Sequence, residues 1–205
     1  MHSLRLTFAV FLPLLAAGIF ALPGMAAESG RAAPEFTFTD LAGKTQRLAD
    51  FRGKIVVLEW LNPACPYVVR HYRSGNMQGT QAAAADAGAV WLQVNSAAMG
   101  DLDPAKSVEW QQKQGVKATA YIRDQEGKLG RLFGAATTPH LFVIGRDGTL
   151  VYQGAIDDQP QGSQANVASA RNHVKAALAA LVAGKPVEPS TTQPYGCGVK
   201  YGAER

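Results

Sequence analysis

The stretch from Glu59 to Tyr72 reads EWLNPACPYVVRHY, and the apolar run KIVVLEWLN that leads into it begins at Lys54. A continuous apolar run of this length is typical of a strand that is buried on both faces of a sheet. A helix is predicted to begin at Cys65 or Pro66, because proline is favoured at the first helical position. Cys65 is therefore expected at a turn from a buried strand to a helix.

The position of Cys65 predicts a reactive thiol. Backbone N–H groups without helical partners and the helix dipole both favour a thiolate at the amino terminus of a helix. The carboxyl ends of parallel strands are also where open α/β sheets bind and react with their ligands. The alternative is a buried structural cysteine, since free cysteine is among the most buried residue types. The strand-to-helix placement favours the reactive thiol over this alternative.

The patterns along the rest of the chain predict a layered α/β fold with a mixed sheet. Strand-like and helical segments alternate, and they are followed by a hairpin and by a closing helix that ends at Gly184. Two additions to this core are expected. One is a hairpin near the amino terminus with Gly43 at its turn, and the other is a helix between the capping residue Asp103 and Gly115.

The amino terminus predicts an exported protein. Residues 1–26 combine a weakly basic start, an apolar run and small residues before Ala27, which is the pattern of a cleaved signal peptide. The expected location is the bacterial periplasm, with a retained membrane anchor facing the periplasm as the alternative. We expect residues 27–35 to form a short tail, residues 36–184 one domain, and residues 185–205 an irregular tail that carries Cys197. The membrane is then involved only through the signal peptide.

The composition argues against several classes of function. The 20 basic and 16 acidic residues leave a net charge of +4 without a basic run, so no nucleic-acid partner is predicted. The 4 histidines and 2 cysteines lack the spacing of a metal site, so no bound metal is predicted. The sequence also carries no signal for an organic cofactor.

Three segments together resemble a known family. They are GKIVVLEWLNPACPYV, TTPHLFVIGRDGTLVYQGAIDD and QPYGCGVKY, and the resemblance extends from about Phe36 to Tyr201. They are similar to the exported redoxins of the alkyl-hydroperoxide-reductase/thiol-specific-antioxidant group, which are peroxiredoxin-like members of the thioredoxin-like superfamily. The resemblance implies a thioredoxin-like three-layer fold with a central mixed sheet, an extra N-terminal hairpin, a helical insertion and an irregular C-terminal tail.

The resemblance also implies roles for residues around Cys65. Cys65 matches the attacking cysteine of the thioredoxin C-x-x-C motif, and Val68 stands where the second cysteine would be. Pro139, after Thr138, matches the cis-proline that faces the active-site cysteine and offers backbone groups to a substrate chain. We therefore expect Pro139 and Thr138 to position the substrate.

Four further residues are candidates for the site. Trp60 and Pro66 are expected to help position the substrate, with Trp60 lining the cleft. Arg70 and His140 are candidates for supporting the thiolate of Cys65. The alternatives are a core tryptophan, an ordinary strand histidine and an arginine that faces water.

The same comparison argues against recognisable peroxidase chemistry. Peroxiredoxins carry a threonine three residues before the peroxidatic cysteine, and that cysteine corresponds to the second position of the C-x-x-C pair. Here Val68 occupies the peroxidatic position, and Asn62 precedes Cys65 by three residues. Peroxidase activity therefore stays an open alternative to disulfide reduction.

Three interpretations of Cys197 remain open. It resolves Cys65 during a catalytic cycle, or it forms a permanent disulfide with Cys65, or it is a free thiol in a mobile tail. The tail after Gly184 is long enough to cross the domain, since an extended chain advances ~3.3 Å per residue. On the chain-entropy model a permanent bridge would contribute up to ~5 kcal/mol of stability.

The sequence thus predicts an exported thiol oxidoreductase in which Cys65 attacks and Cys197 resolves. Its expected partners are a thiol or disulfide substrate protein, or a small peroxide, and a thioredoxin-like reductant that supplies electrons as thiols. The alternative is a non-catalytic thioredoxin-fold protein with a structural Cys65–Cys197 disulfide, which would bind a client chain or a soft metal.

Overall fold

The computed structural model describes residues 26–98, 102–161, 167 and 169–203. Its strands, in chain order, are β1 (Thr37–Thr39), β2 (Thr45–Arg47), β3 (Val56–Trp60), β4 (Val90–Asn95), β5 (Ala120–Arg123), β6 (Thr137–Thr138), β7 (His140–Ile144), β8 (Leu150–Gly154) and β9 (Cys197–Gly198). Its α-helices are α1 (Pro66–Arg73), α2 (Asn76–Asp86), α3 (Pro104–Gln114), α4 (Lys128–Phe133) and α5 (His173–Val182). The predicted signal peptide lies outside the described residues, apart from its last position.

A five-stranded mixed sheet in the order β5-β4-β3-β7-β8 forms the centre of the fold. Strand β3 is parallel to β4 and antiparallel to β7, so it is hydrogen-bonded on both sides. All five of its residues are buried, as the apolar sequence before Cys65 predicts. The predicted α/β fold with a central mixed sheet is confirmed.

The two faces of the sheet pack into two separate cores. On one face, Leu58 and Trp60 pack with residues of the amino-terminal hairpin and of α4. On the other face, Val57 packs with residues of α1, α2 and α5. Because side chains alternate along a strand, successive residues of β3 belong to different cores. The result is the predicted arrangement of three layers.

The predicted additions to the core are present. Strands β1 and β2 form the amino-terminal hairpin, which meets β5 through a bridge between Asp40 and Ile122. Helix α3 is capped by Asp103, whose side chain accepts from the backbone N–H of Lys106, and Gly115 ends it in the left-handed conformation. In the part of the chain that the structure describes, no helix has the length and apolar character to cross a membrane.

A carboxylate is buried within the core that contains α1. Glu59 is fully buried in β3, and four side chains donate hydrogen bonds to it. Trp91 Nε1 and Gln93 Nε2 donate at 2.8 and 3.1 Å, the hydroxyl of Tyr72 at 2.9 Å, and Gln81 Nε2 at 3.3 Å. Burial raises the pKa of Glu59, and the four donors offset this only in part. The folded protein therefore favours protonated Glu59 more than the unfolded chain does.

This raised pKa predicts how stability depends on pH. The stabilisation from Glu59 should be complete below its unfolded pKa, near 4.5, and should be lost as pH rises through the folded pKa. The change Glu59→Gln imitates the protonated group and should remove this loss. The free energy of unfolding, measured in urea at about pH 5 and about pH 8, should then fall less with pH in Glu59→Gln than in the wild type.

The exposed Glu28→Gln provides a matched control, because it removes one carboxylate without altering the core. An equal pH dependence in the wild type and in Glu59→Gln would contradict the raised pKa.

Candidate functional site

Cys65 is the capping residue before α1, at the end of the loop that follows β3. Its backbone N–H donates to the carbonyl of Asn62 at 2.9 Å, and Pro66 is the first residue of the helix. Cys65 is only 3% exposed, so other parts of the chain shield the predicted strand-to-helix cysteine from solvent. Val68, in the first turn of the helix, is fully buried in the core.

The segment Thr137–Thr138 lies directly against the sulfur of Cys65. The Cys65 thiol donates to the carbonyl oxygen of Thr138 at 3.0 Å. The following peptide bond, between Thr138 and Pro139, is cis. Pro139 thus lies between β6 and β7. Proline has no N–H group to donate, and at this position the sheet does not require one. The structure brings together three of the predicted site residues, Cys65, Thr138 and Pro139.

The C-terminal tail brings the second cysteine to the same place. Strand β9 pairs antiparallel with β6, with Cys197 opposite Thr138 and Gly198 opposite Thr137. This register places the Sγ atom of Cys197 at 2.7 Å from the Sγ atom of Cys65, with both residues as free thiols. Two sulfurs at this separation can form a disulfide after the loss of two electrons and two protons.

The two thiols differ in acidity. Burial raises the pKa of Cys65, but hydrogen bonds to its thiolate from the Cys197 thiol, from the Thr138 side chain and from the backbone of Val68 outweigh this, and the pKa lies below its ordinary value. Burial and the neighbouring Cys65 raise the pKa of Cys197 to about 11. In the structure the Cys65 thiol donates to the Cys197 sulfur, and once Cys65 has ionised the Cys197 thiol donates to the thiolate instead. The same contact therefore lowers the pKa of Cys65 and raises the pKa of Cys197. Cys65 is therefore the better nucleophile of the pair.

A buried polar network holds the tail just before Cys197. The hydroxyl of Tyr195 donates to Asp157 and lies 3.1 Å from Nε2 of His71. Nδ2 of Asn76 contacts the other oxygen of Asp157 at 3.0 Å and Nδ1 of His71 at 3.1 Å. Burial lowers the pKa of His71 to about 4, so its imidazole is neutral at pH 7 and bridges Tyr195 and Asn76 by hydrogen bonds.

No local pattern in the sequence connects these network residues with Cys65. Asp157 is 1% exposed, and it accepts the hydrogen bond from Tyr195 that holds the tail. His71 is fully buried, so its side chain neither faces water nor carries charge at pH 7. The only available signal was the position of Tyr195, two residues before the second cysteine of the chain.

Trp60 does not line a cleft, so this prediction was wrong. It is fully buried in the core on the face of the sheet opposite Cys65, where its Nε1 donates to Ser96 at 3.0 Å. Its ring packs against Phe133 and Phe142. Pro66 is exposed at the start of α1, beside the cysteine pair.

The two candidates for thiolate support have other contacts. Burial lowers the pKa of His140 to about 4, so the imidazole is uncharged at pH 7, and its Nδ1 accepts from the N–H of Ala136 at 3.2 Å. Support of the thiolate by a positive charge at His140 is therefore not available. The guanidinium of Arg70 lies over the rings of Tyr67 and Tyr195, at 5.2 and 5.6 Å from their centroids. Arg70 thus stabilises the position of the tail through its cation–π contact with Tyr195.

Cysteine and histidine side chains are also potential metal ligands. Across residues 26–98, 102–161, 167 and 169–203, no group of three or more His, Cys, Asp and Glu side chains is arranged to hold a metal ion.

The shared thiol contact leads to a prediction for Cys65. Replacing Cys197 by alanine removes an S–H donor, so the pKa of Cys65 should rise and its alkylation by iodoacetamide at neutral pH should slow. Cys197→Ser is the matched control, since its hydroxyl keeps a donor and should cause a smaller rise. The measurement is the rate of Cys65 alkylation against pH, followed by mass spectrometry. An unchanged or lower pKa in Cys197→Ala would show that the contact does not stabilise the thiolate.

Comparison with known proteins extends these observations. The model of the AhpC/TSA family matches residues 29–153, which include Cys65 and Pro139 but not Cys197. The thiol-disulfide oxidoreductase ResA of Bacillus thuringiensis is 28% identical over 133 residues, which are 62% of this chain and 69% of the relative.

Solved structures support the fold. A hypothetical protein from Sinorhizobium meliloti is 24% identical with a TM-score of 0.74, over 88% of this chain and 98% of that one. The thioredoxin domain of a thiol-disulfide oxidoreductase from Bacteroides vulgatus is 19% identical with a TM-score of 0.50, over 62% of this chain and 89% of that one. The expected thioredoxin-like fold is confirmed. By its sequence from residue 29 to residue 153, the chain belongs to the AhpC/TSA family.

Proposed function

We propose that this protein is a thiol-disulfide oxidoreductase in which Cys65 attacks and Cys197 resolves. The observation that carries the proposal is the 2.7 Å separation of the two sulfurs, produced by the pairing of Cys197 with Thr138. In this proposal, two cysteines from distant parts of the chain take the attacking and resolving roles that the two cysteines of a C-x-x-C motif take within one helical turn. The family membership and the relative named as a thiol-disulfide oxidoreductase support the same chemistry.

The proposed reaction has two exchange steps. The Cys65 thiolate attacks one sulfur of a substrate disulfide, a Cys65–substrate disulfide forms, and the other substrate sulfur leaves as a thiolate. Cys197 then attacks the sulfur of Cys65 and releases the second substrate thiol. The substrate gains two electrons, and the protein is left with a Cys65–Cys197 disulfide that an external dithiol must reduce.

The acidities of the two thiols suit this order of events. While Cys65 is a thiolate, the Cys197 thiol donates a hydrogen bond to it, and this contact raises the pKa of Cys197. Once Cys65 is bonded to the substrate it carries no charge, and its part in raising the pKa of Cys197 disappears. Cys197 therefore becomes a better nucleophile only after the first step is complete.

Disulfides are the better supported substrates. Peroxide reduction would use the same Cys65 thiolate and pass through a sulfenic acid, which Cys197 could condense with. However, Asn62 and Val68 occupy the positions where the peroxide-activating residues would be expected. A thioredoxin-like dithiol protein is the proposed reductant, because the cycle needs only thiols as its electron source.

Export to the periplasm is part of the proposal. It rests on the signal-peptide pattern in residues 1–26. An oxidising compartment would allow the Cys65–Cys197 disulfide to form, so the reduced thiol pair would have to be regenerated. The retained membrane anchor, facing the same compartment, leaves the chemistry unchanged.

A single-turnover experiment tests the proposed roles. The reduced protein is mixed with 5,5′-dithiobis(2-nitrobenzoate), and the released thionitrobenzoate is measured by absorbance. The wild type should release about two thionitrobenzoate molecules per chain, one for each exchange step, and should keep no adduct. Cys197→Ser should release one and keep the other on Cys65, as read by mass spectrometry, because it cannot resolve the first product.

Cys65→Ser is the control for the attacking role, and it should react more slowly, since burial still raises the pKa of the remaining Cys197 thiol. Two stable adducts on the wild-type chain would contradict resolution by Cys197. A wild-type disulfide that persists in excess dithiothreitol would instead favour the non-catalytic binding protein with a structural bridge.

A further inference from the structure

The C-terminal segment Ser190–Gly202, here called the strap, crosses the surface over Cys65. It begins beside β8, where two backbone hydrogen bonds connect it to Gln153. The N–H of Gln153 donates to the carbonyl of Ser190 at 3.1 Å, and the carbonyl of Gln153 accepts from the N–H of Thr192 at 3.0 Å. It then passes Tyr195, pairs with β6, and ends against α4. The strap thus lies over the site as a third element, after the turn of Cys65 and the segment of Thr138.

Anchors on both sides of Cys197 hold the strap down. Before it, Tyr195 enters the network of Asp157 and His71. After it, the hydroxyl of Tyr201 donates to the carbonyl of Ala135 at 2.6 Å, and the guanidinium of Arg131 lies 4.7 Å from the Tyr201 ring centroid. Arg131 also donates to the carbonyl of Gly202 at 2.7 Å, so the strap is fixed without a covalent link.

The strap itself shows how a polypeptide reaches Cys65. It brings a cysteine sulfur to 2.7 Å from Cys65 by antiparallel pairing of its main chain with Thr137 and Thr138. A sheet edge of this kind accepts an extended chain through main-chain hydrogen bonds. A cystine within another polypeptide would need the same edge to bring its sulfur to Cys65, and the strap already occupies it.

Gly196 allows this close approach. Its φ of 141° lies in the region that favours glycine. A side-chain carbon at this position would overlap the carbonyl group of Thr138, whereas one at Gly198 would meet no atom within 4 Å. The strap is therefore sensitive to one added methyl group at residue 196 and insensitive to the same group at residue 198.

We propose that the strap makes Cys65 selective for small-molecule disulfides over disulfides within polypeptides. This inference rests on the proposed function and names its substrate class. A small disulfide does not depend on pairing with β6, so its approach to Cys65 does not require the strap to detach from that edge. A polypeptide must first detach the paired residues and at least one of the two tyrosine anchors.

The test measures one exchange reaction at Cys65 in a Cys197→Ser background. Cys65 attacks a disulfide whose second sulfur belongs to thionitrobenzoate, and thionitrobenzoate leaves as the coloured thiolate. Two probes share this leaving group, one built on free cysteine and one on an unstructured peptide of about ten residues, long enough to pair with the edge. Their rates with glutathione correct for the intrinsic reactivity of each probe.

Gly196→Ala should raise the ratio of the peptide rate to the cysteine rate by roughly tenfold or more, because it frees the edge for pairing. Gly198→Ala, the matched control, should leave the ratio as it is in the parent protein, which carries only Cys197→Ser. Tyr195→Phe, which removes the hydroxyl anchor, should move the ratio in the same direction as Gly196→Ala.

The inference is overturned if the parent reacts with both probes at equal corrected rates, or if neither Gly196→Ala nor Tyr195→Phe changes the ratio. Rapid reaction with the cysteine probe in those cases would leave the proposed function standing. A Cys65 that reacts with neither probe, even in Gly196→Ala, would contradict both.

Discussion

The antiparallel pairing of Thr138 with Cys197 is the contact on which the chemistry of this protein depends. It joins a segment next to the central sheet with a tail that begins after the last helix, and it sets the two sulfurs 2.7 Å apart. The carbonyl of Thr138 also accepts from the Cys65 thiol, so one residue contacts both cysteines. Without this pairing, Cys65 would be a single buried thiol with Val68 in place of a resolving partner.

The surroundings of the cysteine pair act mainly through position and hydrogen bonds. His71 and His140 are both buried, and burial lowers the pKa of each to about 4, so neither adds charge near neutral pH. The acidity of Cys65 comes instead from donors that contact its sulfur, of which Cys197 is one. Tyr195 contributes by fixing the tail to a buried carboxylate rather than by touching the sulfurs. The pair is thus tuned by the same tail that supplies its second member.

The sequence was sufficient where local patterns decide structure. The apolar run before Cys65, the proline at the start of α1 and the Asp103 cap of α3 each specify their element within a few residues. Trp60 was misplaced because a strand buried on both faces has no polar side to reveal which core each residue enters. The network of Tyr195, Asp157 and His71 was missed because its members are far apart in sequence, and no local pattern records that they meet.

The reach of Cys197 illustrates the same limit. Chain length showed that the tail could arrive at Cys65, but length does not select a register. That register is set by the pairing with β6, by the close approach that Gly196 permits, and by anchors on either side. Each of these involves residues that are distant along the chain, so only the folded structure shows them together.

The reduction potential of the Cys65–Cys197 pair is the most direct measure of whether it is a working redox couple. The full chain would be equilibrated with defined ratios of reduced and oxidised dithiothreitol and glutathione, and the Cys65–Cys197 link quantified by mass spectrometry. A working redox pair with an acidic Cys65 should equilibrate between about −180 and −270 mV, where several thiol-disulfide exchange proteins lie. A bridge that resists reduction below about −300 mV would be structural and would contradict the proposed cycle.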